Sequence, residues 1–220
     1  MKTLLVTGAD GFVGRWLVRQ ALADGWRVVA AIGPGGAAPE AWLPPTGRDL
    51  VTSFELDLLR AEDLRRVAAE PVDAVVHLAA ISSGAHARQH PDVTRRINVD
   101  GAVALLDAVL RRGAGEIGLE LLIARAFPHS GPGQSPAFVL PAFAARIRDS
   151  ARQGQATIAV GNLDVIRDFL DVRDVVRAYL LLLDRGAAGE AYNVASGIGR
   201  SLTDCIRMLA EMAGTGVTPQ

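Results

Sequence analysis

The first fourteen residues, MKTLLVTGADGFVG, restrict the fold more than any other stretch of the chain. A short apolar run ends at Thr7. Glycines follow at positions 8, 11 and 14, and an amphipathic run begins at Phe12. Each glycine has a separate physical purpose in a strand–turn–helix phosphate site. The first makes the tight turn, the second lets a pyrophosphate approach the backbone, and the third lets helix and strand pack closely. The helix N-terminus then offers unpaired N–H groups and the positive end of its dipole to the phosphates. A bare glycine pattern is weak evidence, but here it follows a strand and opens a helix, which is the context a dinucleotide site needs.

The rest of the chain repeats that alternation. Strands are expected at residues 2–7, 26–32, 50–56, 73–80 and 118–127, with helices at 12–23, 61–69 and 95–110 between them. This pattern argues an α/β fold, a Rossmann-like doubly wound parallel sheet with helices on both faces. Residues 33–47 and 129–138 are rich in glycine and proline and read as loops. Further on, helices are expected at 139–151 and 172–183, strands at 157–160 and 190–196, and a last helix with Ser201 as its N-cap. The expected division is a dinucleotide-binding domain over 1–127 and a mainly substrate-binding region over 128–220, interleaved with the sheet.

Composition narrows the function classes. With 23 basic and 24 acidic side chains in 220 residues, net charge is -1. No basic cluster marks a nucleic-acid or anionic-membrane partner. No run reaches the roughly 18 apolar residues of a membrane span, and the N-terminal apolar run is too short for a secretory signal. A cytoplasmic protein is expected. The only cysteine, Cys205, excludes an internal disulfide; it reads as a small core residue rather than a reactive thiol. No metal site is expected. The end of the second strand, AAIGPGG, carries neither the acid that would hold a ribose 2′-hydroxyl nor an arginine for a 2′-phosphate. The cofactor is therefore NAD or NADP. Asp57 reads either as an adenine contact or as a helix N-cap.

Several motifs in order, TGADGFVG, ELDLLRAEDL, VVHLAA and RRINVDGAVALLDAV, resemble the extended short-chain dehydrogenase/reductase family, the NAD-dependent epimerase/dehydratase group. ARAFPHSGPGQSPAFVLPAFA, VGNLDVIRDFLDVRDVVRAYLLLL and GEAYNVASGIGRSL are similar to its branch acting on GDP-hexoses, which includes 4-keto-6-deoxyhexose reductases and 4,6-dehydratases. The resemblance implies that Gly8, Gly11 and Gly14 hold the cofactor phosphates and that Asp10, Phe12 and Val13 also belong to the cofactor site. It implies that Asp57 and Leu58 flank the adenine and that Leu78, Ala79, Ala80 and His129 line the cofactor. For the substrate, a GDP-hexose, it implies Phe138, Val139, Asn162 and Arg167. Arg167 would meet the diphosphate, its planar fork suiting phosphate oxygens; the alternative is an exposed ion pair with Asp168 or Asp171. His129 reads equally as a solvated loop histidine, and His77 as a strand-end packing residue. Ser82 and Ser83 are expected to cap or line the cofactor loop. A homodimer is a further option that the resemblance leaves open.

One part of the family pattern is absent. The resemblance implies a catalytic tyrosine, with a lysine four residues on that lowers its pKa. This chain has one lysine, Lys2, and two tyrosines, Tyr179 and Tyr192, neither followed by lysine at that spacing. The chain passes from LLDAVLRRGAG straight to GLELLIARAF, so one strand, one helix and their loops are missing, at least about 30 residues. No catalytic residue is assigned. With one βα unit fewer, residues 113–118 are expected to make a short connection, and residues 119–124 to pair beside 75–78. Two functions follow: an oxidoreductase, dehydratase or epimerase-type enzyme of nucleotide sugars, or a binding remnant or partner subunit without turnover.

Overall fold

Thr3–Thr7 forms the first strand (β1), and its Leu4, Leu5 and Val6 have no exposed surface. Such a run suits a strand covered on both faces. The computed structural model describes residues 1–113 and 119–220. After β1 come α1 (Phe12–Ala23), β2 (Arg27–Ile32), β3 (Val51–Glu55), α2 (Ala61–Ala69) and β4 (Ala74–His77). Then come α3 (Gly84–Gln89), α4 (Pro91–Arg95), a π-helical stretch (Arg96–Gly101) and α5 (Ala102–Gly113). The remainder is β5 (Ile123–Ala126), β6 (His129–Ser130), α6 (Val139–Arg152), β7 (Thr157–Ile158), β8 (Ile166–Asp168), β9 (Leu170–Asp171), α7 (Val172–Arg185), β10 (Ala191–Val194), β11 (Gly199–Ser201), α8 (Leu202–Met212) and β12 (Thr218–Pro219). The chain forms two compact units: one of Met1–Ile123 with Val176–Glu190, the other of Ala124–Val175 with Ala191–Gln220.

In the first unit, four parallel strands run in the order β3-β2-β1-β4. Side chains alternate across a strand. Leu5, Val29, Ala31 and Phe54 therefore share one face, with Leu56, Leu58, Val67 and Leu105 in the same cluster. Leu4, Val6, Val28 and Ala30 point to the other face, where α1 buries Leu17, Val18 and Ala21. The helical segment before residue 113 begins earlier than the sequence suggests, because Pro91 takes the first turn of α4, where its missing N–H is not needed.

The pairing expected for residues 119–124 does not occur. β5 starts at Ile123 and pairs with β10, and β4 has β1 as its neighbour in the four-stranded sheet. The amide of Ile123 donates to the Glu190 carbonyl at 3.0 Å, and that of Phe127 to Val194 at 2.9 Å. The reason lies in β5 itself. Its sequence, IARA, places Arg125 mid-strand and offers one large apolar side chain, whereas a parallel sheet buries strands on both faces. β4 shows the consequence: Ala74, Val75 and Val76 are only half-buried. Of the expected connection over 113–118, residues 114–118 lie outside the described residues. The apolar stripe of Val99, Val103 and Leu110 is exposed, at 48%, 62% and 47%.

The second unit is built around Phe143 and Ile147 of α6, Ile158, and Leu202, Ile206 and Ala210 of α8. Small two-stranded pairings surround that core: β7 with β12, β6 with β9 and β8 with β11. Ser201 caps α8 as expected, its Oγ accepting from the Asp204 amide at 3.0 Å and donating to Asp204 Oδ2 at 2.7 Å.

Candidate functional site

The glycine turn is defined by what it cannot accommodate. Gly8 has φ of 66°, in the left-handed region, and a Cβ there would lie 2.9 Å from the Ala79 nitrogen. At Gly14 a Cβ would overlap the Gly8 oxygen and fall 2.7 Å from Ala9 Cα. The first and third glycines therefore do what their spacing implies. Gly11 is exposed at the N-cap of α1, and the helix N-terminus has no side-chain cap. A helix start of this kind presents its first N–H groups to an anion. This cradle fits a dinucleotide pyrophosphate.

Thr7 holds the facing wall. It is completely buried, and its Oγ1 accepts from the amides of Leu78 and Ala79, both at 3.2 Å. Its one proton goes to His77 Nδ1, 2.7 Å away. That assignment makes His77 an acceptor at Nδ1 and a neutral Nε2–H tautomer. Desolvation lowers its pKa below the ordinary imidazole value, which favours the same neutral form. His77 is thus a strand-end brace. The loop beyond is clamped by Asn98: its Oδ1 accepts from the Ile81 amide at 2.7 Å, and its Nδ2 donates to the Ile81 carbonyl at 2.9 Å. The π-helical stretch carries Asn98. It ends at Gly101, where a Cβ would press within 2.8 Å of Leu58 Cβ. Ser83 caps α3 through the His86 amide at 3.2 Å.

The loop after β2 is drawn in by two carboxylates. Glu55 Oε2 accepts from the Gly35 amide at 3.2 Å and Asp10 Oδ2 from the Ala37 amide at 3.3 Å. The Asp10 carbonyl accepts from Arg15 Nε at 2.7 Å. Asp57 is not the N-cap of α2. Arg60 holds that position, while Asp57 Oδ1 turns back to the Leu59 amide at 2.9 Å. The turn adds residues before the helix, and Asp63 in its first turn accepts from the Asp57 amide at 2.8 Å. The Leu58 side chain is 5% exposed and belongs to the core cluster. The first unit thus brings together Gly8, Asp10, Gly11, Phe12, Val13, Gly14, Leu78, Ala79 and Ala80 around one turn and strand end.

In the second unit, His129 opens β6, its Nδ1 2.9 Å from the Phe127 carbonyl. Gln134 Nε2 donates to the His129 carbonyl at 3.1 Å, while its Oε1 is buried without a partner. Phe138 is the N-cap residue of α6, and Val139 opens that helix, 37% exposed. Asn162 Oδ1 accepts from the Asp164 amide at 2.8 Å, closing a local turn. Arg167 is exposed on β8, with Nη1 donating to the Ile166 carbonyl at 2.9 Å. The ion-pair alternative for Arg167 does not form among the described residues. Asp168 accepts from Ser196 Oγ at 2.6 Å and from the Gly197 amide at 2.7 Å, and Asp171 pairs with Arg173 at 2.6 Å. The Ser196 hydroxyl holds the Asp168 carboxyl below the usual range. In the sequence Asp168 stands out only as a possible partner of Arg167, and Gln134 does not stand out. Their signal was slight: an acid inside RDFLD and an amide closing GPGQ.

The described residues offer no obvious proton relay. Lys2 lies just before β1, its Nζ 5.8 Å from the Trp26 ring centroid, at the opposite end of that strand from Gly8. Burial pushes the Tyr179 phenol up, the reverse of what a relay at neutral pH needs. Cys205 is 7% exposed, and burial raises its thiol, so it is a core residue. No group of three or more metal-ligating side chains is found among the described residues, and no helix there is long and apolar enough to cross a membrane.

Comparison with known proteins places this geometry. The model of the NAD dependent epimerase/dehydratase family matches residues 4–117 and 114–195. The chain belongs to that family of nicotinamide-dependent enzymes acting on nucleotide sugars. GDP-6-deoxy-D-mannose reductase of Pseudomonas aeruginosa is 32% identical over 261 residues, covering 96% of this chain and 80% of that protein. dTDP-glucose 4,6-dehydratase of Streptomyces griseus is 28% identical, covering 96% and 78%. Among solved structures, RMD from Pseudomonas aeruginosa complexed with NADPH has a TM-score of 0.80 at 29% identity, covering all of this chain and 85% of its own. UDP-glucose 4-epimerase of Thermus thermophilus complexed with NAD has a TM-score of 0.81 at 25% identity, covering 99% and 85%. The family match restarts at residues 114–117, where the sequence motifs show their seam. A 261-position alignment that includes 96% of 220 residues leaves about 50 positions with no residue of this chain. That is enough for the missing strand and helix.

Proposed function

We propose that this chain binds a nicotinamide dinucleotide and a GDP-hexose, in the lineage of the 4-keto-6-deoxyhexose reductases, and that its turnover is very slow. One contrast carries the reading. The glycine cradle is complete, while the single lysine stands at the far end of β1. When bound, the nicotinamide supplies the hydride. Gly8, Gly11 and Gly14 seat the phosphates, and Thr7 and Asn98 hold the loops beside them. Arg167 is the proposed diphosphate contact, Asn162 a guanosine-side contact, and Phe138 and Val139 line the sugar end. Asp57 and the Leu58 backbone are proposed to flank the adenine. Among the described residues none takes over the tyrosine's proton, and losing such acid–base help lowers rates by about 10²–10⁴.

The test is oxidation of NADH and NADPH by the 220-residue chain with GDP-4-keto-6-deoxymannose, beside a fluorescence titration of each cofactor. Cofactor binding without turnover above a no-enzyme blank supports the reading. Turnover well above that blank overturns it, because another group would then be moving the proton.

A further inference from the structure

We propose that Arg200 is the second half of an anion-binding pair with Arg167, and that the pair takes the diphosphate of a nucleotide sugar. The proposal rests on the nucleotide-sugar reading above and extends it to a residue that the sequence did not single out. β8 and β11 are antiparallel, and their register sets Arg200 directly opposite Arg167, between Gly199↔Asp168 and Ser201↔Ile166. Directly opposed residues project from the same face of such a ribbon, with Cβ atoms about 4.5–5.5 Å apart.

Two like charges in that position repel, so a carboxylate between them would be the ordinary remedy. None is supplied. Among the described residues neither guanidinium forms an ion pair. The neighbouring acids are committed elsewhere: Asp168 to Ser196 and Gly197, and Asp204 to Ser201 and Arg207. Arg200 Nη1 has only the Met208 sulfur, at 3.9 Å. Both arginines are exposed. The ribbon beneath them is braced at both ends, by Asp168 on the turn after β10 and by Ser201 capping α8. The register therefore sets two exposed arginines opposite one another on a fixed backbone, Arg167 Nη1 resting on the Ile166 carbonyl at 2.9 Å, and no ion pair to either forms among the described residues. A guanidinium fork matches phosphate oxygens bidentately, and two adjacent forks match two linked phosphates.

The experiment is calorimetric titration of the full chain with GDP, inorganic pyrophosphate and guanosine, at low and high salt. It compares wild type with Arg167→Gln, Arg200→Gln, Arg200→Lys and the double glutamine variant. NADH fluorescence and far-UV circular dichroism report whether each variant remains folded. A charge-assisted hydrogen bond is worth enough that each glutamine variant should weaken GDP binding roughly tenfold or more. Lysine at 200 should fall in between, and pyrophosphate should compete while guanosine alone does not depend on either arginine. Unchanged GDP affinity in Arg200→Gln, with a loss in Arg167→Gln, overturns the proposal and leaves the nucleotide-sugar reading standing. Failure of the wild-type chain to bind GDP while it still binds NADH overturns both.

Discussion

Replacing Gly14 by alanine tests the site and the fold together. The substitution is favourable for the helix alone: alanine exceeds glycine in helix propensity by about 1 kcal/mol. In this chain the new Cβ would overlap the Gly8 oxygen and sit 2.7 Å from Ala9 Cα and 2.8 Å from the Ala9 carbonyl carbon. All three are backbone atoms of the phosphate turn, so no rotamer change relieves the clash. α1 must retreat from the turn, and Leu17, Val18 and Ala21, each with no exposed surface, move with it. Overpacking of this kind costs about 1–3 kcal/mol, sometimes more. Because the clash is with backbone, the cost lies at the upper end of that range, and subtracting the propensity gain leaves an expected net destabilisation of about 2 kcal/mol. Urea unfolding of Gly14→Ala beside wild type measures it, and cofactor fluorescence should show weaker binding. Gly11→Ala is the control: its Cβ meets only the Gly8 oxygen, at 3.1 Å, so stability should change little while cofactor binding falls. A Gly14→Ala protein as stable as wild type would refute the close-packing argument.

Three further outcomes follow from particular contacts. Asn98→Ala strips the Ile81 amide and carbonyl of their partners and should cost about 1–3 kcal/mol in urea unfolding; a loss near zero would show that the clamp is dispensable. His77 has a folded pKa below its unfolded one. Its contribution is complete above the unfolded value, about 6.5, and is lost as pH falls towards the folded value. Unfolding midpoints should therefore decline on acidification below that point, and the His77 share of the slope should vanish in His77→Gln; an unchanged slope would contradict the assignment. The Cys205 thiol, buried and raised in pKa by that burial, should react with a thiol reagent at least about tenfold more slowly in the native chain than in urea. Equal rates would place it at the surface.

Much of the first unit was legible in the sequence because its signals are local. Thr3–Thr7, Phe12–Ala23 and Ala61–Ala69 fall where apolar periodicity puts them. The glycine triplet announced its turn because only glycine fits positions 8 and 14. Ser201 announced α8 because an N-cap acts on the amide three residues on. For β5 the deciding partner was distant in the chain, and for Asp57 it was a neighbour two residues on. Residues 119–124 had the apolar character of a strand, but Arg125 and the offer of β10 took the strand away from β4. Asp57 had the chemistry of an N-cap, but a turn through Leu59 moved the helix start to Arg60.

The pattern of strands, the glycine cradle and the loss of a tyrosine–lysine pair are properties of composition and spacing, so the order of residues along the chain is enough to state them. Which strands become neighbours, which arginines stand opposite one another and which hydroxyl meets His77 depend on contacts between residues tens of positions apart. Thr7 and His77, and Arg167 and Arg200, carry no mark of each other in the sequence. They meet because hydrogen-bond register and burial, summed over whole strands, have one arrangement that satisfies both.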